Sequence, residues 1–242
     1  MKINLFIPCI VDQFAPKVAI STYKILKKLG CNVDYPFEQT CCGQPAFNTG
    51  YHYEARICAE RFLKIFANSD YIVSPSGSCV AMVKNFYQEL ELNPEAKSIY
   101  NDLKIKIFEL SDFLVNVLKV EDLNANFKAK VTYHDSCHLL RELNILNEPR
   151  KLIGSIKGIE LIDLNESDRC CGFGGTFSVK FPELSTIITE DKVRNIELSG
   201  ADYVVANDVS CLLNIQGILK NKNSRIKTLH LAELLAMGIE NA

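Results

Sequence analysis

Eight of the ten cysteines in this 242-residue chain fall into two sets that repeat each other. Cys9, Cys41, Cys42 and Cys79 return as Cys137, Cys170, Cys171 and Cys211, displaced by 128, 129, 129 and 132 residues. The repetition reaches beyond cysteine: "DYIVSPSGSC" at 70–79 is answered by "DYVVANDVSC" at 202–211, and "NLFIPC" before Cys9 by "VTYHDSC" before Cys137. Self-similarity at a long fixed period marks a duplicated unit, so the fold must be two copies of one plan. Each set holds an adjacent pair followed by glycine, "CCGQ" at 41–44 and "CCGFGG" at 170–175. Neighbouring cysteines close a disulfide only with backbone strain, and so the pairs call for another use.

Within each half the apolar pattern alternates between strand and helix. The run into Cys9 has strand length. Val18, Thr22, Ile25 and Leu29 then form one ridge of a helix that Gly30 ends. "CNVDYPF" reads as a second strand leading to the first cysteine pair, Cys58, Phe62, Ile65 and Phe66 mark a second amphipathic helix, and "YIVSP" is a third strand that delivers Cys79. The second half repeats this with "VTYH", a helix near 148–157, "IELIDL", the pair, a helix near 183–198, and "YVVAN". Such alternation predicts an α/β fold of two pseudo-symmetric repeats, each a parallel sheet flanked by helices. All eight cysteines follow strands, and ligands in such sheets gather outside the carboxyl ends of the strands. The expected division is a first repeat at 1–91, a connector at 92–127 with a helix capped by Ser111, and a second repeat at 128–242 closed by the helical "LHLAELLAMG".

Composition excludes several functions. A hydrophobic content of 48% suits a protein with a sizeable core, and a net charge of -2 with dispersed lysine and arginine offers no footprint for nucleic acid. Asn4 interrupts the N-terminal apolar run, which reads as a buried strand, and no stretch approaches the roughly 18 apolar residues of a membrane span. A cytoplasmic protein without direct membrane insertion is expected. In a reducing compartment ten cysteines point to metal ligation or redox chemistry. No two lie three apart, which removes the CxxC knuckle of zinc ribbons, thioredoxins and bacterial ferredoxins.

Four thiolates per half suit a [4Fe-4S] cluster, one or two per chain, and equally a zinc site with four cysteine ligands, in one half or both. Gly43 and Gly172, directly after the pairs, would let the backbone approach closely and point N–H groups at sulfur. The two halves have unequal linings, with Asp135, His138 and Arg141 beside the second set and Pro8, Ile10 and Gln44 beside the first. His138 is a candidate for a proton relay or hydrogen-bond donor to sulfur, and Arg141, with Lys180, for holding a carboxylate. A structural histidine and solvated charges are the competing readings. Cys31 and Cys58 lie outside the repeat and read as core packing. "GFGG" lacks the strand-to-helix spacing and the lysine of a phosphate loop. His52 and His230 receive no role.

The pattern of cysteine, 31 residues, Cys-Cys-Gly, 35 residues, cysteine, repeated with 32 and 38 residues, resembles the cysteine-rich, or CCG-domain, iron-sulfur proteins over nearly the whole chain. That family includes the B subunit of heterodisulfide reductase and the iron-sulfur subunits of glycolate oxidase and of anaerobic glycerol-3-phosphate dehydrogenase. The "HDSCH" and "CCGFGG" wording is most similar to its lactate-utilization members. The resemblance implies a component of a multi-protein complex that oxidises L-lactate to pyruvate, with other iron-sulfur subunits as partners. It departs at one point. The heterodisulfide reductase motif ends in CxxC, whereas Ser76 and Asp208 stand three residues before Cys79 and Cys211, so the fifth thiolate that helps to hold a non-cubane cluster there is absent here.

Three functions follow: an iron-sulfur electron-transfer subunit; a thiol-disulfide oxidoreductase whose cysteines are themselves the redox groups; and a zinc-stabilised scaffold. No flavin or nicotinamide motif is evident, which leaves catalysis to a partner or to an assembled interface.

Overall fold

The apolar run at the N-terminus forms β1 (Lys2–Leu5), and its counterpart before Cys137 forms the longer β5 (Asn126–Tyr133). The structure, a computed structural model, describes residues 1–242. Around β1 lie β2 (Asn32–Asp34), β3 (Ile72–Ser74) and β4 (Ile107–Glu109), in the order β2-β1-β3-β4 with every pairing parallel. Around β5 lie β6 (Lys157–Ile162), β7 (Tyr203–Ala206) and β8 (Lys227–His230), in the order β6-β5-β7-β8, again all parallel. The two sheets have one topology, as the duplication requires. Equivalent backbone bonds recur: Phe6 N–H donates to Val73 O at 2.9 Å and His134 N–H to Val205 O at 2.8 Å.

The helices form where the apolar period is 3.6. The first-half helix Pro16–Lys28 buries Val18, Thr22, Ile25 and Leu26, and Gly30, just past its end, takes φ 77° as a left-handed stop. His52–Phe66 buries Phe62 and Phe66, and the second-half helices Asn147–Gly154 and Pro182–Ser199 occupy the expected places. A short helix at Cys9–Phe14 precedes Pro16–Lys28, started by Pro8 rather than by a polar cap.

Residues 92–127, expected as a helical connector, also carry β4, which pairs with β3 and completes the first sheet. The helix after β4 starts two residues earlier than expected. Its N-cap is Glu109, not Ser111, because the buried Glu109 carboxylate accepts the Ser111 N–H at 2.7 Å and also takes the Ser111 hydroxyl. The terminal helix Leu231–Glu240 follows β8 in the same way, capped by His230, whose Nδ1 accepts the Ala232 N–H at 3.1 Å.

One hydrophobic core of 28 buried residues runs through both halves, joining Ile3, Val18 and Phe113 to Val131, Leu152 and Leu234. The halves therefore cannot separate without opening that core, which is worth about 1.5–3 kcal/mol per large side chain buried. Their strand ends also bond across the join in reciprocal fashion. Glu109, ending β4, accepts from Asn207 of the second half at 2.9 Å, and His230 Nε2, ending β8, meets Pro75 O of the first half at 3.1 Å. No helix is long and apolar enough to cross a membrane.

Candidate functional site

The carboxyl ends of the central strands face each other across the join, and every cysteine of the duplicated motif lies there. Cys9 opens the helix after β1, and Cys137 immediately precedes the π-helical turn His138–Glu142 after β5. Cys79 sits in the first turn of the helix Gly77–Ala81, after β3, where its N–H donates to the capping Ser76 hydroxyl at 3.4 Å. Cys211 occupies the matching first turn of Val209–Asn221, after β7, where the helix dipole favours a thiolate. All eight line one cleft. The two groups of four, expected as separate cradles, thus share a common space, because the strand ends of the two halves meet at the join.

Cys42, Cys171 and Cys211 are buried, Cys41, Cys79 and Cys137 half-buried, and Cys9 and Cys170 exposed at the mouth. The glycines after the pairs take positive φ, 86° at Gly43 and 78° at Gly172, and this turns their N–H groups back onto sulfur: Gly43 donates to Cys41 Sγ at 3.4 Å and Gly172 to Cys170 Sγ at 3.3 Å. Only glycine fits. A Cβ on Gly172 would fall 2.7 Å from Ser185 O and 2.6 Å from Thr189 Oγ1, and one on Gly43 3.0 Å from Ala55 O. The carbonyl of Cys171 is held in turn by Thr189 at 3.0 Å and Asn214 at 2.8 Å, and that of Cys42 by the buried Tyr87 hydroxyl at 3.0 Å.

The sulfurs are close enough to shift one another's ionisation. Hydrogen bonds from Cys42 and Cys9 pull Cys41 down to about 3, while sharing with Cys41, together with burial, drives Cys9 and Cys42 well up. In the second set, Cys171 Sγ lies 2.7 Å from Cys211 Sγ. The bond to Cys171, then burial, raises Cys170; at Cys171 the Cys170 bond favours the thiolate, but the Cys211 contact and burial outweigh it. Burial also raises Cys137, whose sulfur is 3.5 Å from His138 Nδ1.

His134 and Asp208 carry more of the site than the sequence suggested. His134 is buried; its Nδ1 faces the Ser167 carbonyl at 3.2 Å and its Nε2 has no partner. Its ligating nitrogen and the sulfurs of Cys171 and Cys211 lie within 4.8 Å of one another, a group able to hold a metal ion. Burial first, then the Lys192 charge, lowers its ring to about 3, so it is neutral. Asp208 joins the two halves: its Oδ1 accepts the Ser76 hydroxyl at 2.8 Å, the Ser78 hydroxyl at 2.8 Å and the Ser78 N–H at 3.1 Å. Ser76 and Asp208, equivalent by the repeat and noted only for replacing cysteine, are thus bonded to each other. Asp208 Oδ2 and Ser136 Oγ, both of residues lining the cleft, are buried without partners.

Other sequence candidates are placed differently. His138 lines the cleft, as do Pro8, Ile10 and Gln44. Asp135 turns away into a two-pronged pair with Arg150 at 2.6 and 2.7 Å, and Arg141 points outward, 3.7 Å from the Asp168 carboxylate. Lys180 is exposed on the short helix Phe177–Lys180. Cys31 is buried in the shared core, whereas Cys58 is half-buried against Gly43. His52 is exposed with its ring against Phe47, and His230 caps the terminal helix. Lys192 was passed over; its signal was a lysine on the buried ridge Ser185, Thr189, Lys192 and Ile196 of an otherwise amphipathic helix.

The model of the CCG family, the Cysteine-rich domain, matches residues 3–84 and 131–216, one match on each half. The chain belongs to the CCG family. Its relatives in that family include proteins named "Lactate utilization protein A" from Halalkalibacterium halodurans, 45% identical over 97% of this chain and 96% of the relative, and from Bacillus subtilis, 43% identical over 97% and 99%. Among solved structures, a hypothetical protein from Helicobacter pylori superposes with a TM-score of 0.69 at 14% identity, covering 98% of this chain and 49% of the other. That likeness shows the fold alone. The CCG residues of both halves, Cys41-Cys42-Gly43 and Cys170-Cys171-Gly172, are those described above at the cleft.

Proposed function

We propose that this chain is an iron-sulfur electron-transfer subunit of a multi-protein complex that oxidises L-lactate to pyruvate. The observation that carries the reading is the convergence of eight cysteines, from two copies of one motif, on a single cleft. Thiolates so gathered fit a soft, multi-iron centre. Buried polar atoms without partners at Asp208, Ser136 and His134 agree with a polar or ionic group seated among them. Cys9, Cys41, Cys42 and Cys79 would hold one [4Fe-4S] cluster, and Cys137, Cys170, Cys171 and Cys211 a second. When bound, such a cluster supplies one-electron transfer. The chain's own part is to orient the thiolates through the Gly43 and Gly172 N–H groups, to shield the inner sulfurs, and to leave Cys9 and Cys170 at the mouth, where a partner subunit can dock. The lactate assignment rests on the printed names of the relatives.

A second reading has one specific support. His134, Cys171 and Cys211 form a compact nitrogen-sulfur group that suits zinc. Metal and sulfide content of anaerobically purified protein separates the two. Brown protein with iron and acid-labile sulfide is expected. Colourless protein with one or two zinc per chain would establish the scaffold, and metal-free protein with stoichiometric disulfides would establish the thiol-disulfide oxidoreductase.

A further inference from the structure

Behind the two cysteine pairs, positions made equivalent by the duplication carry opposite chemistry. Phe6 and His134 are equivalent: each follows its central strand and donates its N–H to the matching carbonyl, Val73 or Val205. The helices after the pairs can be registered through the glycines, since a Cβ on Gly43 would meet Ala55 O and one on Gly172 would meet Ser185 O. That offset of 130 places Lys192 where the first half has Phe62. In the first half the rings of Phe6 and Phe62 meet edge to face at 4.9 Å, both buried. In the second half an imidazole and an ammonium occupy the same place and meet on one carbonyl, that of Ser167, at 3.2 Å from His134 Nδ1 and 2.9 Å from Lys192 Nζ.

Packing does not require a charge there, because Phe62 fills the equivalent space without one. Burying an ammonium is costly, and Lys192 is 0% exposed with only neutral partners, the carbonyls of Glu166 at 2.7 Å and Ser167 at 2.9 Å. Its field is therefore not cancelled by a paired carboxylate. Burial lowers its pKa to about 8, with Asp135, Cys171, Asp168 and Cys211 acting in the other direction, so it is charged at neutral pH. Arg141 acts in the same direction as this ammonium at Cys137 and Cys170. Asp208, bonded to Ser76 and Ser78 of the first half and beside Cys211 of the second, faces both sites. A buried positive charge favours the more negative, reduced state of a nearby thiolate-held centre.

We propose that Lys192 sets the direction of electron flow through this protein: its buried ammonium makes the Cys137, Cys170, Cys171 and Cys211 site the electron acceptor of the pair, with the Cys9, Cys41, Cys42 and Cys79 site upstream of it. The inference rests on the iron-sulfur reading. One electron leaves the first site and enters the second, no bond forms or breaks, and the electrons originate in oxidation of the 2-hydroxy acid by the complex. Lys192 touches no substrate and acts as a tuning residue through the site it stands behind.

The test is a potentiometric titration at pH 7 of the full chain, anaerobically reconstituted with iron and sulfide and followed by electron paramagnetic resonance. Two midpoints are expected, the higher belonging to the signal lost in Cys171→Ser. Lys192→Met should lower that midpoint and leave the other in place, and Lys192→Arg should retain it. Should Lys192→Met fold poorly, the double variant His134→Phe with Lys192→Phe copies the first-half pair and should bring the two midpoints together. Two unmoved midpoints, or movement of the lower one, would overturn the inference while leaving the iron-sulfur reading intact. A wild-type chain that takes up no redox-active cluster overturns both.

Discussion

Gly172→Ala tests how the cysteine turn is built without any metal present. The substitution asks an L-residue to hold φ 78°, which costs roughly 1–2 kcal/mol. It also places a Cβ 2.7 Å from the Ser185 carbonyl and 2.6 Å from Thr189 Oγ1, well inside contact distance, and the first of these is backbone of the helix Pro182–Ser199. Relief requires that helix to draw back. Doing so breaks the bonds it makes to the turn, from Thr189 to Cys171 O at 3.0 Å and from the Ser185 hydroxyl to Gly172 O at 2.9 Å, and disturbs Asn214, which spans Thr189 and Cys171 O at 2.8 Å each. At about 1 kcal/mol for each bond lost, the total is about 3–5 kcal/mol. Gly30→Ala is the control: φ is 77°, yet nothing lies within 4 Å of the new Cβ, so only the roughly 1–2 kcal/mol of backbone strain applies. Gly43→Ala should fall between them, because its nearest atoms are 3.0 and 3.2 Å away. Urea unfolding of the reduced, chelator-treated protein, followed by circular dichroism, measures all three. If Gly30→Ala costs as much as Gly172→Ala, the close approach contributes nothing and the reasoning is refuted.

Three further outcomes are expected. Burial raises the Glu109 carboxyl from 4.5 to about 7 against the opposing bonds from Ser111 and Asn207, so its contribution to stability is complete below 4.5 and is lost as pH rises through 7. The loss is about 3 kcal/mol, and Glu109→Gln should flatten that part of the urea-midpoint profile between pH 5 and 8; an unchanged slope would contradict it. Asp208→Ala strands the Ser76 and Ser78 donors at the join of the halves and should cost about 2–4 kcal/mol, with Asp208→Asn costing less; calorimetry of the two variants decides it. Cys171→Ser should lower the iron content of reconstituted protein, whereas Cys58→Ser should retain it at a cost of about 1 kcal/mol or less; equal loss of iron would count against the ligand assignment.

The duplication, the alternation of strand and helix, and the cysteine pairs were all legible in the chain because they are local or strictly periodic. Strand length, apolar period and a glycine after each pair follow from backbone geometry and need no knowledge of neighbours. The Ser111 cap failed for the opposite reason. A better acceptor, Glu109, stands two residues earlier, and it is buried there because Asn207 of the other half meets it. The fourth strand of each sheet was missed because β4 and β8, three and four residues long, run straight into a helix whose pattern masks them, and they gain their places from pairing with β3 and β7.

What the sequence by itself determined is that two equivalent sets of four cysteines would stand at strand ends, since each set is carried by the same succession of strand, turn and helix. Only the tertiary structure decided that both sets open on one cleft, because the packing of one half on the other comes from a core and a set of cross-bonds drawn from both. It alone also set the aromatic pair Phe6 and Phe62 against the polar pair His134 and Lys192. The members of each pair lie more than fifty residues apart, and a lysine on a helix reads as solvated until the fold shows it buried, with its ammonium on the carbonyls of Glu166 and Ser167.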